Sequence, residues 1–230
     1  MIFAGIAKSS LIDYPGKIAT VLFTPGCDYN CFYCHNRALI EDIDVILDPA
    51  EIDDFLNKRQ GLIDAVVVSG GEPTLYDDLI PFFTGIKTMG YLTKLDTNGS
   101  RPDVIRDLLS AGVVDYFAVD YKAPADRYQE LCGEGADAGL VLETLTALVA
   151  AGAAFEARTT VVPQLGEEDL IRMAMEMPPL PRYVLNPYRQ PKLFRPEDRE
   201  RVELPAYPEK RIAEFAEVVK LYQQNVVLPF

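Results

Sequence analysis

The amino-acid sequence predicts an α/β chain, a partial (β/α)6 barrel followed by a C-terminal helix. Three observations predict it. Short apolar, β-branched runs alternate with helical patterns six times, which implies a parallel sheet with right-handed crossovers. Polar motifs follow several of the strand-like runs, where parallel α/β proteins place their sites. No linker marks a second domain, so residues 1–230 read as one domain, with its core over about 18–190 and an extension over 191–230. A flat, doubly wound sheet is the alternative arrangement of the same elements.

The elements follow in order. Ile18 to Phe23 is apolar and β-branched, then Thr24-Pro25-Gly26 breaks it and a cysteine-rich loop follows. Asp48 is a helix cap with Pro49 at the first helical position and Glu51 three residues after the cap; that helix stops near Gly61. Ala65 to Ser69 reads as a buried strand ending in Gly70-Gly71-Glu72-Pro73. A helix over roughly 75–88 carries Pro81, which marks a kink or a late start. Tyr91 to Leu95 is the next strand and ends in Asp96-Thr97-Asn98-Gly99. Ser100 caps a helix with Pro102 and Asp103 in its first turn, and Gly112 closes it. Asp115 to Val119 is a strand ending in Asp120-Tyr121-Lys122. Residues 138–151 place Leu140, Leu142, Leu145 and Leu148 on a helical pattern. Phe155 to Val162 and Tyr183 to Leu185 complete the strands, with a short helix over 167–177 between them. A proline-rich stretch and a final helix near 209–224 end the chain.

Composition excludes several classes. Hydrophobic residues make up 49% of 230 and charged residues 25%, as in a globular protein rather than a disordered or coiled-coil chain. Lys and Arg total 22 against 35 Asp and Glu, and the formal charge of −13 repels phosphate backbones, so no nucleic acid partner is expected. No apolar run approaches the roughly 20 residues of a membrane span, so no membrane partner is expected either. The start, Met-Ile-Phe-Ala-Gly-Ile-Ala-Lys, lacks the charged beginning and apolar core of a signal peptide, and a cytoplasmic location is expected.

Of four cysteines, three crowd together as Cys27-x3-Cys31-x2-Cys34, and the one histidine, His35, follows directly. A disulfide framework needs paired cysteines in a short secreted chain, so a metal is the better reading. Three thiolates can hold three irons of a [4Fe-4S] cluster and leave the fourth open for a substrate. Rival readings are a structural zinc on three cysteines and His35, a C-x-x-C-H haem attachment at Cys31 to His35, and unligated thiols. Cys132 stands far away in sequence and reads as a packing thiol.

Cys27-x3-Cys31-x2-Cys34, with Tyr33 before the last cysteine, resembles the signature of radical S-adenosylmethionine (SAM) enzymes. Gly70-Gly71-Glu72-Pro73 is similar to that family's GGE motif, and 18–190 follows the order of its barrel elements. The resemblance implies a radical SAM fold whose open iron binds the amino and carboxylate groups of SAM. Asp13-Tyr14-Pro15-Gly16-Lys17, Pro25-Gly26-Cys27 and Tyr33-Cys34-His35-Asn36-Arg37 further resemble the small activating enzymes of glycyl-radical proteins. Within those, the pattern is most similar to the activators of anaerobic ribonucleoside-triphosphate reductase, in a branch resembling pyruvate formate-lyase activase.

The resemblance assigns roles residue by residue. Cys27, Cys31 and Cys34 hold the cluster, while Tyr33, Cys34 and His35 lie along the adenine. Gly70, Gly71 and Glu72 meet the SAM amino group, Lys122 pairs with its carboxylate, and Arg158 lies near it. Asp96, Thr97 and Asp120 resemble oxygen ligands of a monovalent or divalent cation, and Asp13 an aspartate near the incoming glycine segment. Arg189 stands where the activase pattern has a histidine after Pro187-Tyr188, so adenosine contacts from that strand are an expectation only by position. Each has a plainer reading: a strand-ending turn for Asp96 to Gly99, a surface lysine for Lys122, a structural ion pair for Arg158, a loop residue for Glu72. The implied activity is hydrogen abstraction from a glycine of a partner enzyme, with a flavodoxin- or ferredoxin-type protein as electron donor. A radical SAM enzyme acting on a small molecule, such as a 7-carboxy-7-deazaguanine synthase, is the alternative. Residues 182–201 hold Arg182, Arg189, Lys192, Arg195, Arg199 and Arg201 against three carboxylates, either a docking face or a solvated loop.

Overall fold

The chain begins with a strand that its polar Lys-Ser-Ser sequence conceals: Gly5–Ser10 forms β1. The structure is a computed structural model and describes residues 1–41, 43 and 45–229. The chain divides into two compact units. The first comprises Met1–Asp28, Asn36–Thr97 and Asp103–Phe117; the second comprises Tyr29–His35, Asn98–Pro102 and Ala118–Phe230.

In the first unit β1 pairs antiparallel with β2 (Ala19–Thr24), Gly5 opposite Phe23. A single turn, α1 (Ala38–Glu41), follows the cysteine loop. The helix α2 (Pro49–Arg59) starts as its sequence dictates: Asp48 Oδ1 accepts from Ala50 N–H at 2.9 Å, Pro49 stands at the first position, and Ile52 and Leu56 point inward one turn apart. Then come β3 (Ala65–Gly70), α3 (Leu79–Thr88) and β4 (Leu92–Thr97). Pro81 sits in the first turn of α3, where no backbone donor is required, so the proline marks a late start and not a kink. A 3-10 turn at Pro73–Leu75 takes the residues before it. β2, β3 and β4 are parallel, with Val21 opposite Val67 and Val67 opposite Lys94. Tyr14, Ala19, Val21, Ala65 and Val67 form a buried cluster against one sheet face. α4 (Pro102–Ala111) ends at Gly112, whose φ of 63° glycine adopts without a side-chain clash.

The strand β5 (Tyr116–Asp120) straddles the division between the units. The second unit continues with α5 (Tyr128–Cys132), a short helix the apolar pattern does not announce. Next are α6 (Ala138–Ala150), β6 (Phe155–Val161), α7 (Glu167–Glu176) and β7 (Tyr183–Pro187). Asp137 caps α6 by accepting from Gly139 N–H at 2.7 Å. Val141, Thr144, Leu145 and Leu148 face the core of that helix, whereas Leu140 stays exposed. After α8 (Arg199–Val202), the final helix α9 (Glu209–Val219) is shorter than its sequence pattern and yields to β8 (Val226–Val227). β8 extends the parallel set β6, β7, β8. Among the described residues no helix is long and apolar enough to cross a membrane.

Candidate active site

In the first unit two loops leave the carboxyl ends of neighbouring parallel strands and are sewn together. Gly71 N–H donates to the Thr24 carbonyl and Glu72 N–H to the Gly26 carbonyl, both at 2.8 Å, so Cys27 leaves its strand directly beside Gly70-Gly71-Glu72. An added Cβ at Gly71 would stand 1.7 Å from the Gly26 oxygen, and one at Gly70, whose φ is +121°, 2.3 Å from Thr24 N. Only glycine permits that approach. Asn36 donates from Nδ2 to the Gly70 carbonyl at 2.7 Å, and the Tyr76 hydroxyl to the Pro25 carbonyl at 2.8 Å. The sequence motifs assign a role to neither residue, although Asn36 stands only two positions after Cys34.

Glu72 is fully buried. Its Oε1 accepts from Thr74 N–H at 3.0 Å, the Thr74 hydroxyl at 2.6 Å and the Thr97 hydroxyl at 2.7 Å. Thr97 therefore joins the GGE loop. Its neighbour Asp96 turns instead to the buried ammonium of Lys94. Asp13 lies in the β1–β2 connection, where its carboxylate accepts from Ser10 Oγ beside the exposed Leu11 and Ile12.

In the second unit the segment Tyr29–His35 packs around Cys31, Phe32 and Tyr33, all buried. Cys34 N–H donates to the Cys31 carbonyl at 3.2 Å, a turn that sets the two thiols of the C-x-x-C step on one loop. None of the four cysteines is in a disulfide. Asp120, at the end of β5, accepts from Lys122 Nζ at 2.9 Å and from Arg158 Nε at 3.0 Å. Burial opposes the Asp120 charge, but Lys122 and Arg158 outweigh it and hold the carboxyl down at about 2. Lys122 loses hydration on burial, yet the Asp120 carboxylate beside it outweighs that loss and raises its pKa, keeping it protonated. Lys122 and Arg158 thus surround one carboxylate with two cations beside a cysteine and a tyrosine. The Tyr33 hydroxyl is buried with no hydrogen-bond partner among the described residues, and burial first of all pushes its pKa up. His35 donates to the backbone of Arg189; partial burial draws the imidazole pKa down, and the Arg189 charge adds to that.

The residues also fit a metal–SAM site chemically. Soft thiol donors lie on a loop with a lysine ammonium in range of Cys31, and the Lys122 ammonium and Arg158 guanidinium are donors of the kind that bind a carboxylate. Each carboxylate offered to a cation, Asp96 and Asp120, instead holds basic side chains of the chain itself. The basic stretch is also largely engaged. Arg182 meets Glu156 at 3.0 Å, Arg195 meets Asp198 at 2.7 Å, and Arg199 meets Glu203 at 3.1 Å. Arg201 faces Asp198 at 3.8 Å and stacks on Phe32.

Comparison with known proteins gives these arrangements a family. The profile of the radical SAM superfamily matches residues 21–177. A Methanocaldococcus jannaschii protein named a "putative glycyl-radical enzyme activating enzyme" is 33% identical over 98% of this chain and 94% of its own length. The 7-carboxy-7-deazaguanine synthase of Thermococcus kodakarensis is 28% identical over 72% of each chain. Streptococcus suis SuiB, solved with S-adenosylmethionine bound, superposes on 91% of this chain with a TM-score of 0.67 at 16% identity, and this chain spans about half of it, 52%. That likeness shows the fold, α/β of the class the sequence predicts. The chain belongs to the radical SAM superfamily and is an enzyme of that kind.

Proposed function

We propose that the protein is a glycyl-radical-enzyme activating enzyme. The observation that carries this reading is the end-to-end likeness to a relative so named, 33% identical over nearly the full length of both chains. In this reading Cys27, Cys31 and Cys34 hold a [4Fe-4S] cluster and the open iron takes SAM. When bound and reduced by one electron, cluster and SAM supply a 5′-deoxyadenosyl radical, the hard chemistry that a protein leaves to its cofactors.

The chain's own residues bind, orient and exclude water. Lys122 and Arg158 bring an ammonium and a guanidinium together at Asp120, and charged donors of this kind suit the SAM carboxylate. Gly70, Gly71 and the buried Glu72 offer backbone and carboxylate to the amino group, with Thr97 and Thr74 fixing the Glu72 rotamer. Tyr33, Cys34 and His35 take the adenine, with Arg189 holding His35 through its backbone. Asp13 attends the partner's glycine segment. A cation at Asp96, Thr97 and Asp120 is not part of this reading, because lysine and arginine already serve both carboxylates. The partner is a glycyl-radical enzyme, and we assign it as anaerobic ribonucleotide reductase from the N-terminal motif. The reductant is a flavodoxin- or ferredoxin-type protein, and the setting is cytoplasmic.

The test is anaerobic reconstitution, reduction, and assay of SAM cleavage with and without candidate glycyl-radical enzymes, followed by electron paramagnetic resonance. A glycyl radical on the partner supports the reading. SAM cleavage with no glycyl radical on any candidate favours the small-molecule alternative, which the 28% identity to a 7-carboxy-7-deazaguanine synthase keeps in view.

A further inference from the structure

Cys132 ends α5 with no exposure, and its thiol is hydrogen-bonded to that of Cys31. The backbone repeats the contact. Asn30 N–H donates to the Cys132 carbonyl at 2.7 Å. Gly133, at φ +97°, lies so close that an added Cβ would stand 2.9 Å from the Asn30 Cβ. Next to Cys132 in α5, Tyr128 packs edge-on against Tyr29, ring centroids 6.1 Å apart. The end of α5 is therefore built against the residue that precedes Cys31, with Cys132 wholly buried and Cys31 nearly so.

A thiolate that ligates iron has no proton to give and can only accept. Once Cys31 is in that state, the buried Cys132 thiol is the donor of the pair. Hydrogen bonds to the sulfurs are one of the levers by which a protein sets the potential of an iron–sulfur cluster, because they stabilise the more negative, reduced form. We propose that Cys132 is a positioning residue that donates its S–H to the Cys31 sulfur, orients that ligand and raises the reduction potential of the cluster. This rests on the reading that Cys31 is a cluster ligand. It gives the chain's fourth cysteine a role without placing it on iron, which leaves the open position to SAM.

The test compares the full chain with its Cys132→Ala and Cys132→Ser variants, each reconstituted anaerobically and titrated potentiometrically. Iron content and the electron paramagnetic resonance signal of the reduced cluster are read with and without SAM. Donation predicts that Cys132→Ala keeps its iron but shifts the midpoint to lower potential, while Cys132→Ser, which retains a donor, stays at or above the original value. Thermal melts of the same samples register any packing loss separately. A common midpoint for all three proteins, or equal shifts in both variants, overturns donation while leaving the cluster reading intact. A reduced signal that ignores SAM in the original chain but responds in Cys132→Ala would make Cys132 a fourth ligand, and also overturns it. A chain that takes up no cluster overturns both readings together.

Discussion

The Thr97 hydroxyl donates to Glu72 Oε1 at 2.7 Å, joining the end of β4 to the loop that follows β3. The carboxylate is fully buried, and hydroxyl and backbone donors from Thr74 meet the same oxygen. A hydrogen bond to a buried charged group contributes about 1.5–3 kcal/mol. Thr97→Val should therefore lower stability by about that amount in urea denaturation, whereas Thr97→Ser should recover most of it. The same pair should weaken and restore SAM binding, since a rotated Glu72 no longer presents its carboxylate.

Gly71→Ala should be among the most damaging small substitutions. Its Cβ would stand 1.7 Å from the Gly26 carbonyl oxygen, which is backbone and cannot swing aside. Relief requires breaking the Glu72 N–H to Gly26 carbonyl bond at 2.8 Å. The expected loss is about 3 kcal/mol or more, the upper end for forcing extra volume into a packed site. By contrast Gly85→Ala, in α3 with nothing near its added Cβ, should be neutral or mildly stabilising. Equal melting temperatures for the two variants would remove the steric account.

Asp120 makes stability depend on pH in a defined window. Its carboxyl sits at about 2 in the folded chain, below the ordinary 3.8, because Lys122 and Arg158 outweigh the burial that opposes the charge. A depressed carboxylate stabilises the fold fully above its unfolded pKa and loses that contribution as pH falls through the folded one. The stability difference between the original chain and Asp120→Asn should be constant above about pH 4 and shrink between there and about pH 2. Denaturant midpoints of the metal-free proteins across that range test it, and a difference that grows on acidification would reverse the sign.

What the sequence made legible follows from how local each signal is. The cap at Asp48, the glycines after β3 and the strand runs are short-range features, and the structure places their elements within a residue or two. β1 was hidden because Lys8, Ser9 and Ser10 carry no apolar alternation, and β8 because two residues make no pattern. The glycines at 70 and 71 were legible as a site of close approach, but what approaches them here is the chain's own Thr24 and Gly26 backbone. Partners distant in sequence were not legible. Nothing in the order of residues pairs Thr97 with Glu72 or Cys132 with Cys31. Counting charges over 182–201 gave a basic surface, yet Glu156 and Glu203, which neutralise two of those arginines, lie outside that window.

Arg201 ties the C-terminal segment to the cysteine loop. Its guanidinium lies 4.0 Å from the centroid of the Phe32 ring, between the ligand candidates Cys31 and Cys34 in sequence. Its Nη2 donates to the Glu130 carbonyl at 2.7 Å, and its own carbonyl accepts from Gln164 Nε2 at 2.9 Å. One side chain thus fastens the C-terminal segment to the cysteine loop and to α5 at once. A cation over an aromatic face contributes about 0.5–2 kcal/mol, and the planar guanidinium both stacks and donates where an ammonium does only the second. Arg201→Ala should cost about 1 kcal/mol or somewhat more, with Arg201→Lys recovering only part. The informative readout is local. Amide hydrogen exchange across 29–35 should quicken in Arg201→Ala, and the reconstituted protein should lose iron to a chelator faster, while exchange in α2 and α3 stays unchanged. Uniform acceleration over the whole chain would mean that Arg201 supports the fold in general and not the cysteine loop in particular.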